Sequence, residues 1–241
     1  MSVAAQQIAV EVRLFAMLRE RAGTGSLQLS LPAGATVADA LARLGDEAGL
    51  GDLLARLPLT TAVNREYVDA ATVLRSGDEL ALIPPVSGGA PRAPEDGDVV
   101  HASVVEEPLS GERIAELVGD PHAGAIVVFQ GVTREIPALD YEAYAEMAVA
   151  QMESILRECV ARHGLCAAAA AHRIGRVALG EPSVIVAVSA PHREEAFAGA
   201  RAAIDAIKAQ APIWKRERDA EGAGEWVPGA VPERQATADP R

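Results

Sequence analysis

The stretch Pro84 to Asp98 (P-P-V-S-G-G-A-P-R-A-P-E-D-G-D) has no apolar period and divides two halves that do. No helix or strand runs through such a composition, so each half must bury its own core. At 241 residues with 49% hydrophobic content, the chain has the material for two cores. We therefore expect a first domain over 1–89, a linker over 90–98, and a second domain over 99–241 with a flexible C-terminal tail. The nine linker residues after Gly89 span at most roughly 30 Å when extended.

In the first half, I-A-V-E-V-R-L-F (Ile8 to Phe15) and L-Q-L-S-L (Leu27 to Leu31) alternate in the manner of strands. With Gly23-Thr24-Gly25 between them they read as a hairpin. Thr36 is placed to cap an amphipathic helix from Val37 to about Ala48, with Asp39 in its first turn. Thr61 to Val68 and Glu79 to Ile83 read as two further strands, the second behind the turn Ser76-Gly77-Asp78. The predicted order is β-β-α-β-β.

The second half opens with a short helix near Ser110 and a buried strand, Ala125 to Phe129. A long helix is predicted from Asp140 to His163, with Met147, Ile155, Leu156 and Val160 inward and Gly164 as its stop. Ala167 to Ala171 is ambiguous, since alanine favours helix while the position suits a strand. Val184 to Val188 is a buried strand. Ala190-Pro191-His192-Arg193 then opens a helix to about Gln210, whose stripe is Phe197, Ala200, Ile204 and Ile207, before Pro212 ends it.

Charge and cysteine usage narrow the function. A net charge of −12 argues against non-specific nucleic-acid binding. No run reaches the roughly 18 apolar residues of a membrane span, and Met1 to Val12 does not read as a signal peptide, so a cytoplasmic location is expected. Cys159 and Cys166 are too few for a disulfide framework or a zinc site; no metal is expected, and Cys166, in apolar surroundings, should be an inert thiol.

Among 22 Lys plus Arg, only Lys208 and Lys215 are lysine. An ammonium loses its proton when desolvated and a guanidinium does not, so two lysines kept seven positions apart suggest a place that needs an amine. The competing reading is two surface lysines close by chance. Arg134, after a strand, and His192 and Arg193, at a helix start, are candidate anion donors. Arg134 read without further context is a surface cation, His192 a local cap, and His172 and Arg173 structural.

The segments R-L-F-A-M-L-R (13–19), A-V-N (62–64) and G-D-E-L-A-L-I-P-P-V-S-G-G (77–89) resemble the small subunit of molybdopterin synthase. Those from Gly124 to Arg134, Leu139 to Tyr144, His172 to Gly175, Pro191 to Arg193, and Lys208 to Glu217 resemble the large subunit. The resemblance implies an α+β chain: an N-terminal β-grasp, ubiquitin-like sulfur carrier followed by an α/β hammerhead-type catalytic domain. It implies sulfur carried as a Gly89 thiocarboxylate and transferred to cyclic pyranopterin monophosphate, building the dithiolene of molybdopterin with no further cofactor. Lys208 would meet the thiocarboxylate, Lys215 would bind substrate and exchange protons, and Arg134, His192 and Arg193 would bind its anionic group.

The partners implied are a second copy of the catalytic domain and an adenylating, sulfur-loading enzyme for the carrier. Association would give a dimer of fusions or, after cleavage, a heterotetramer. Activation needs a free carboxyl, yet Ala90 and 151 more residues follow Gly89. Cleavage behind Gly89 is therefore expected; the competing reading is an uncut, non-catalytic pterin-binding protein with a ubiquitin-like docking module. Two departures bear on the site. The stretch after Arg134 is shorter than the family's loop, and the arginine expected near the C-terminus has no clear counterpart here, Arg234 being a guess.

Overall fold

The computed structural model describes residues 7–47, 49–84, 100–218 and 224–226. They fall into two compact units divided between Pro85 and Val86. Gly88, Gly89, the linker and Arg234 lie outside the described residues.

In the first unit the alternation of Gln7–Leu14 (β1) puts Val10, Val12 and Leu14 on one buried face. The other elements are Ala16–Ala22 (α1), Ser26–Pro32 (β2), Val37–Glu47 (α2), Gly51–Arg56 (α3), Thr60–Val63 (β3), Glu66–Val68 (β4) and Glu79–Ile83 (β5). They build one sheet in the order β2-β1-β5-β3-β4, with β1 and β5 parallel at its centre and the other pairs antiparallel. Leu29, Leu31, Leu80 and Leu82 close the core against Val37, Ala40 and Leu44 of α2. Each such leucine is worth about 1.5–3 kcal/mol of apolar burial. This is a β-grasp. Thr36 and Asp39 form a reciprocal cap: the Thr36 amide donates to Asp39 Oδ2 at 2.8 Å, and the Asp39 amide to Thr36 Oγ1 at 3.3 Å.

Two sequence expectations change here. β1 and β2 do pair antiparallel, but the connection holds α1, built of strong helix formers and stopped by Gly23 at φ 70°. The strand expected over Thr61 to Val68 is a hairpin, turning at Asn64 and Arg65 with φ of 51° and 73°. Two successive left-handed residues suit the twist of a tight hairpin. Asn64 holds the turn by donating to Asp78 Oδ1 at 3.0 Å and accepting from the Glu79 amide at 3.1 Å. Without a glycine in it, the turn had no sequence signal.

The second unit contains Val100–Val105 (β6), Gly111–Glu116 (α4), Ala125–Val132 (β7), Ala138–Ala143 (β8), Ala145–His163 (α5), Ala167–Arg173 (β9) and Gly175–Ala178 (β10). Pro182–Ala190 (β11), Arg193–Gln210 (α6), Ile213–Arg218 (β12) and Gly224–Trp226 (β13) follow. One sheet runs β6-β9-β11-β7 and the other β10-β8-β12-β13. Met152, Ile155 and Leu156 of α5 and Ala200, Ile204 and Ile207 of α6 pack on Ala168, Ala170, Val184, Val186 and Val188 of the first sheet. On its other face Val118 and Ile114 cover Ala167, Ala169 and Ala187.

That double burial settles the alanine run as a strand: small side chains enclosed on both faces outweigh alanine's helical preference, worth less than about 1 kcal/mol per residue. The helix expected from Asp140 starts instead at Ala145, because 138–143 pair with both β10 and β12. Phe197, expected in the inward stripe of α6, is 63% exposed. Gly124 lets the start of β7 meet the turn before α6; a Cβ there would stand 2.4 Å from the Pro191 carbonyl oxygen.

Candidate active site

β7 ends at Val132, and residues 133–137 return the chain into β8. Glu135 makes this connection tight by taking φ 67°. Beside it, α6 ends at Gln210 and β12 begins at Ile213 across the Ala211-Pro212 break. The Tyr144 amide donates to the Pro212 carbonyl at 3.1 Å, tying this break to the start of α5. These junctions enclose a cavity of about 520 Å³.

Lys208, in the last turn of α6, and Lys215, on β12, both line it, together with Arg134. Lys208 sits where a cation meets the negative end of the helix dipole. Its Nζ lies 5.8 Å from the centroid of the Phe129 ring. Lys215 reaches the cavity by strand alternation: Ile213, Lys215 and Glu217 face it, whereas Arg216 bonds Asp140 at 3.5 Å and stacks on Trp226 at 5.3 Å. The chain's two lysines thus converge from elements that the sequence separates by a proline.

His192 and Arg193 do not line this cavity. His192 is the N-cap residue of α6 and makes no capping hydrogen bond through its side chain. Lys208 lies 15 residues along that helix from Arg193, a rise of roughly 23 Å.

Thr133, Tyr141, Ser183 and Glu217, which carried no role at the sequence level, also line the cavity, as does His172, which was read as structural. His172 and Tyr141 meet edge to face with centroids 5.0 Å apart. Burial holds the His172 imidazole down at about 4, with the Lys208 charge acting in the same direction against the bond to the Arg173 carbonyl. Nδ1 lies 2.9 Å from that carbonyl oxygen, so it carries the proton and Nε2 is an acceptor. Burial raises the Tyr141 phenol, partly offset by a hydrogen bond with Ser183.

Arg173 is a structural cation, donating to Glu181 Oε2 at 2.8 Å and to the Glu106 carbonyl at 3.1 Å. Burial raises the Cys166 thiol, with Asp120 adding to the effect, and Cys159 is pushed up to about 11 chiefly by burial. Among the described residues, no group of three His, Cys, Asp or Glu is placed to hold a metal. No described helix is long and apolar enough to cross a membrane.

The ThiS family model matches residues 12–89, and the MoaE protein model matches residues 104–210. The molybdopterin synthase catalytic subunit of Thermoplasma volcanium is 39% identical over 132 residues, covering 52% of this chain and 96% of that protein. The chain belongs to the molybdopterin synthase family. Another member, the catalytic subunit of Pyricularia oryzae, is 38% identical over 155 residues, 61% of this chain and 84% of that one. The crystal structure of molybdopterin synthase from Staphylococcus aureus matches with a TM-score of 0.50 and 34% identity, over 52% of this chain and 95% of that one. Family membership places the chain in molybdopterin biosynthesis, and its ThiS-like β-grasp unit precedes the catalytic one.

Proposed function

We propose that the chain is a molybdopterin synthase that carries its own sulfur carrier. Two thiocarboxylates at Gly89 would deliver the two dithiolene sulfurs to cyclic pyranopterin monophosphate. The observation that carries this reading is the convergence of Lys208 and Lys215, the chain's only lysines, with Arg134 in one cavity. Arg134 offers a forked donor to the phosphate. Lys215 binds the substrate and moves protons at the reacting carbon, and Lys208 meets the thiocarboxylate anion. In each transfer the thiocarboxylate sulfur bonds to a substrate carbon as a carbon–oxygen bond at that carbon breaks and its oxygen leaves protonated; one water then cleaves the acyl–sulfur bond of the thioester, leaving the sulfur on the substrate and returning Gly89 as a carboxylate. The chemistry uses no other cofactor.

The carrier requires cleavage behind Gly89 and an adenylating, sulfur-loading partner enzyme, because a peptide carbonyl inside a chain is not open to activation. The catalytic units pair as a dimer, or as a heterotetramer with the released carriers. His192 and Arg193, a helix length away from Lys208, contribute to this anion site only from a second copy.

The test is a single-turnover assay on protein purified from its native cell and supplied with cyclic pyranopterin monophosphate. Molybdopterin formation is the expected result. Tight binding of the substrate with no product would instead favour an uncut pterin-binding protein with a docking module.

A further inference from the structure

The cations of the cavity account for an anion but leave its neutral wall unexplained. Thr133 lines the cavity and is 2% exposed, and its hydroxyl has no hydrogen-bond partner among the described residues. The backbone around it is fixed. The Thr133 amide donates to the Glu181 carbonyl at 3.0 Å, and its own carbonyl accepts from the Gly180 amide at 2.8 Å. Glu181 is itself held, its carboxylate accepting from Arg173 at 2.8 Å and from the Ala178 amide at 3.1 Å. A buried hydroxyl on a fixed backbone, unpartnered among the described residues, destabilises the free protein. Such a group is preorganised for something that enters the cavity.

The neighbouring wall is also neutral. Gly131 of β7 and His172 of β9 both register with Val184 on the strand between them, two strand spacings or roughly 10 Å apart. A Cβ on Gly131 would stand 2.7 Å from Val184 Cγ1, so this part of the wall has no room for a side chain at Gly131. His172 keeps Nε2 as its acceptor nitrogen, and Tyr141 lies edge-on to its ring. A wall of neutral side chains with separate hydrogen-bonding groups suits a neutral heterocycle, while Arg134, Lys208 and Lys215 suit the anion.

We infer that the Thr133 hydroxyl is a specificity-determining substrate contact, hydrogen-bonding a neutral carbonyl or ring nitrogen of the bound heterocycle and not its phosphate. This rests on the synthase reading of the cavity. Valine matches threonine in shape and lacks the hydroxyl, whereas serine keeps it. The test measures calorimetric binding of cyclic pyranopterin monophosphate, and separately of inorganic phosphate, to the full chain and its Thr133→Val and Thr133→Ser variants, alongside thermal unfolding.

Thr133→Val is expected to bind the pterin about tenfold more weakly. Its phosphate binding should be unchanged and its Tm equal to or above that of the unsubstituted protein. Thr133→Ser should bind the pterin as the unsubstituted protein does. Equal pterin affinity in Thr133→Val overturns the inference alone and leaves the synthase reading standing. So does an equal loss for both ligands, which makes Thr133 an anion contact, or a lowered Tm, which makes its hydroxyl a structural one. Absence of pterin binding by the unsubstituted protein overturns the synthase reading and this inference with it.

Discussion

Replacing Lys208 or Lys215 by arginine is expected to lower molybdopterin formation by on the order of 100-fold or more in each case, the range for loss of a positioned proton-transfer group. Arginine keeps the positive charge but not an amine that can give up its proton. It is also longer and planar, so at Lys208 the cation would no longer sit over the Phe129 ring as Nζ does at 5.8 Å. The two variants should differ in kind. In the proposed mechanism Lys215 is a substrate contact as well as a proton-transfer group, so Lys215→Arg should raise KM and lower kcat. Lys208→Arg should act mainly on kcat, because its proposed partner is the incoming carrier tail. Single-turnover rates at several substrate concentrations separate the two patterns. Undiminished turnover in both variants would remove these lysines from the mechanism.

Acid is expected to destabilise the second unit through His172. Its imidazole is held at about 4 in the folded chain, chiefly by burial, against about 6.5 when unfolded. Between those values the unfolded chain binds a proton that the folded chain does not, so stability rises with pH across this window and falls as pH drops through it. The group's contribution is fully present above about pH 6.5 and is lost progressively towards pH 4. At 1.36 kcal/mol per unit, the loss amounts to roughly 3 kcal/mol. Urea unfolding of the intact protein at pH 7 and pH 4.5 measures it. The slope with pH should be shallower in His172→Gln, which has no group to titrate, while carboxylates such as Glu181 contribute to both proteins alike. Equal slopes would mean that His172 is solvated in the folded state.

The strongly periodic parts of this fold were legible in the sequence. Val10, Val12 and Leu14 alternate, Thr36 precedes its helix with Asp39 in the first turn, and Gly164 stops α5 at φ 63°. Elements set by tertiary contact were not. Asp140 to Ala143 lie in a segment whose residues read as helical, and only the strands on both sides make them β8. The alanines of β9 carry no period at all, since both of their faces are buried.

The site divides in the same way. Residue type alone singled out Lys208 and Lys215, and the cavity brings them together. Thr133 and His172 were hidden because a threonine after a strand and a histidine among alanines have ordinary structural uses. Their place at the cavity, one with a hydroxyl unpartnered among the described residues and the other with Nδ1 2.9 Å from a carbonyl oxygen, comes from the fold and not from residue type. His192 and Arg193 stand apart for a geometric reason, being at the opposite end of α6 from Lys208.

The proposed function requires one chain to supply both the sulfur carrier and the site that uses it. Intact-mass spectrometry of the protein from its native cell tests this most directly. A fragment ending at Gly89, with one carboxyl oxygen replaced by sulfur in part of the population, is the predicted result. Full-length chain alone, in cells that are making molybdopterin, would contradict it and would assign sulfur delivery to a separate carrier protein.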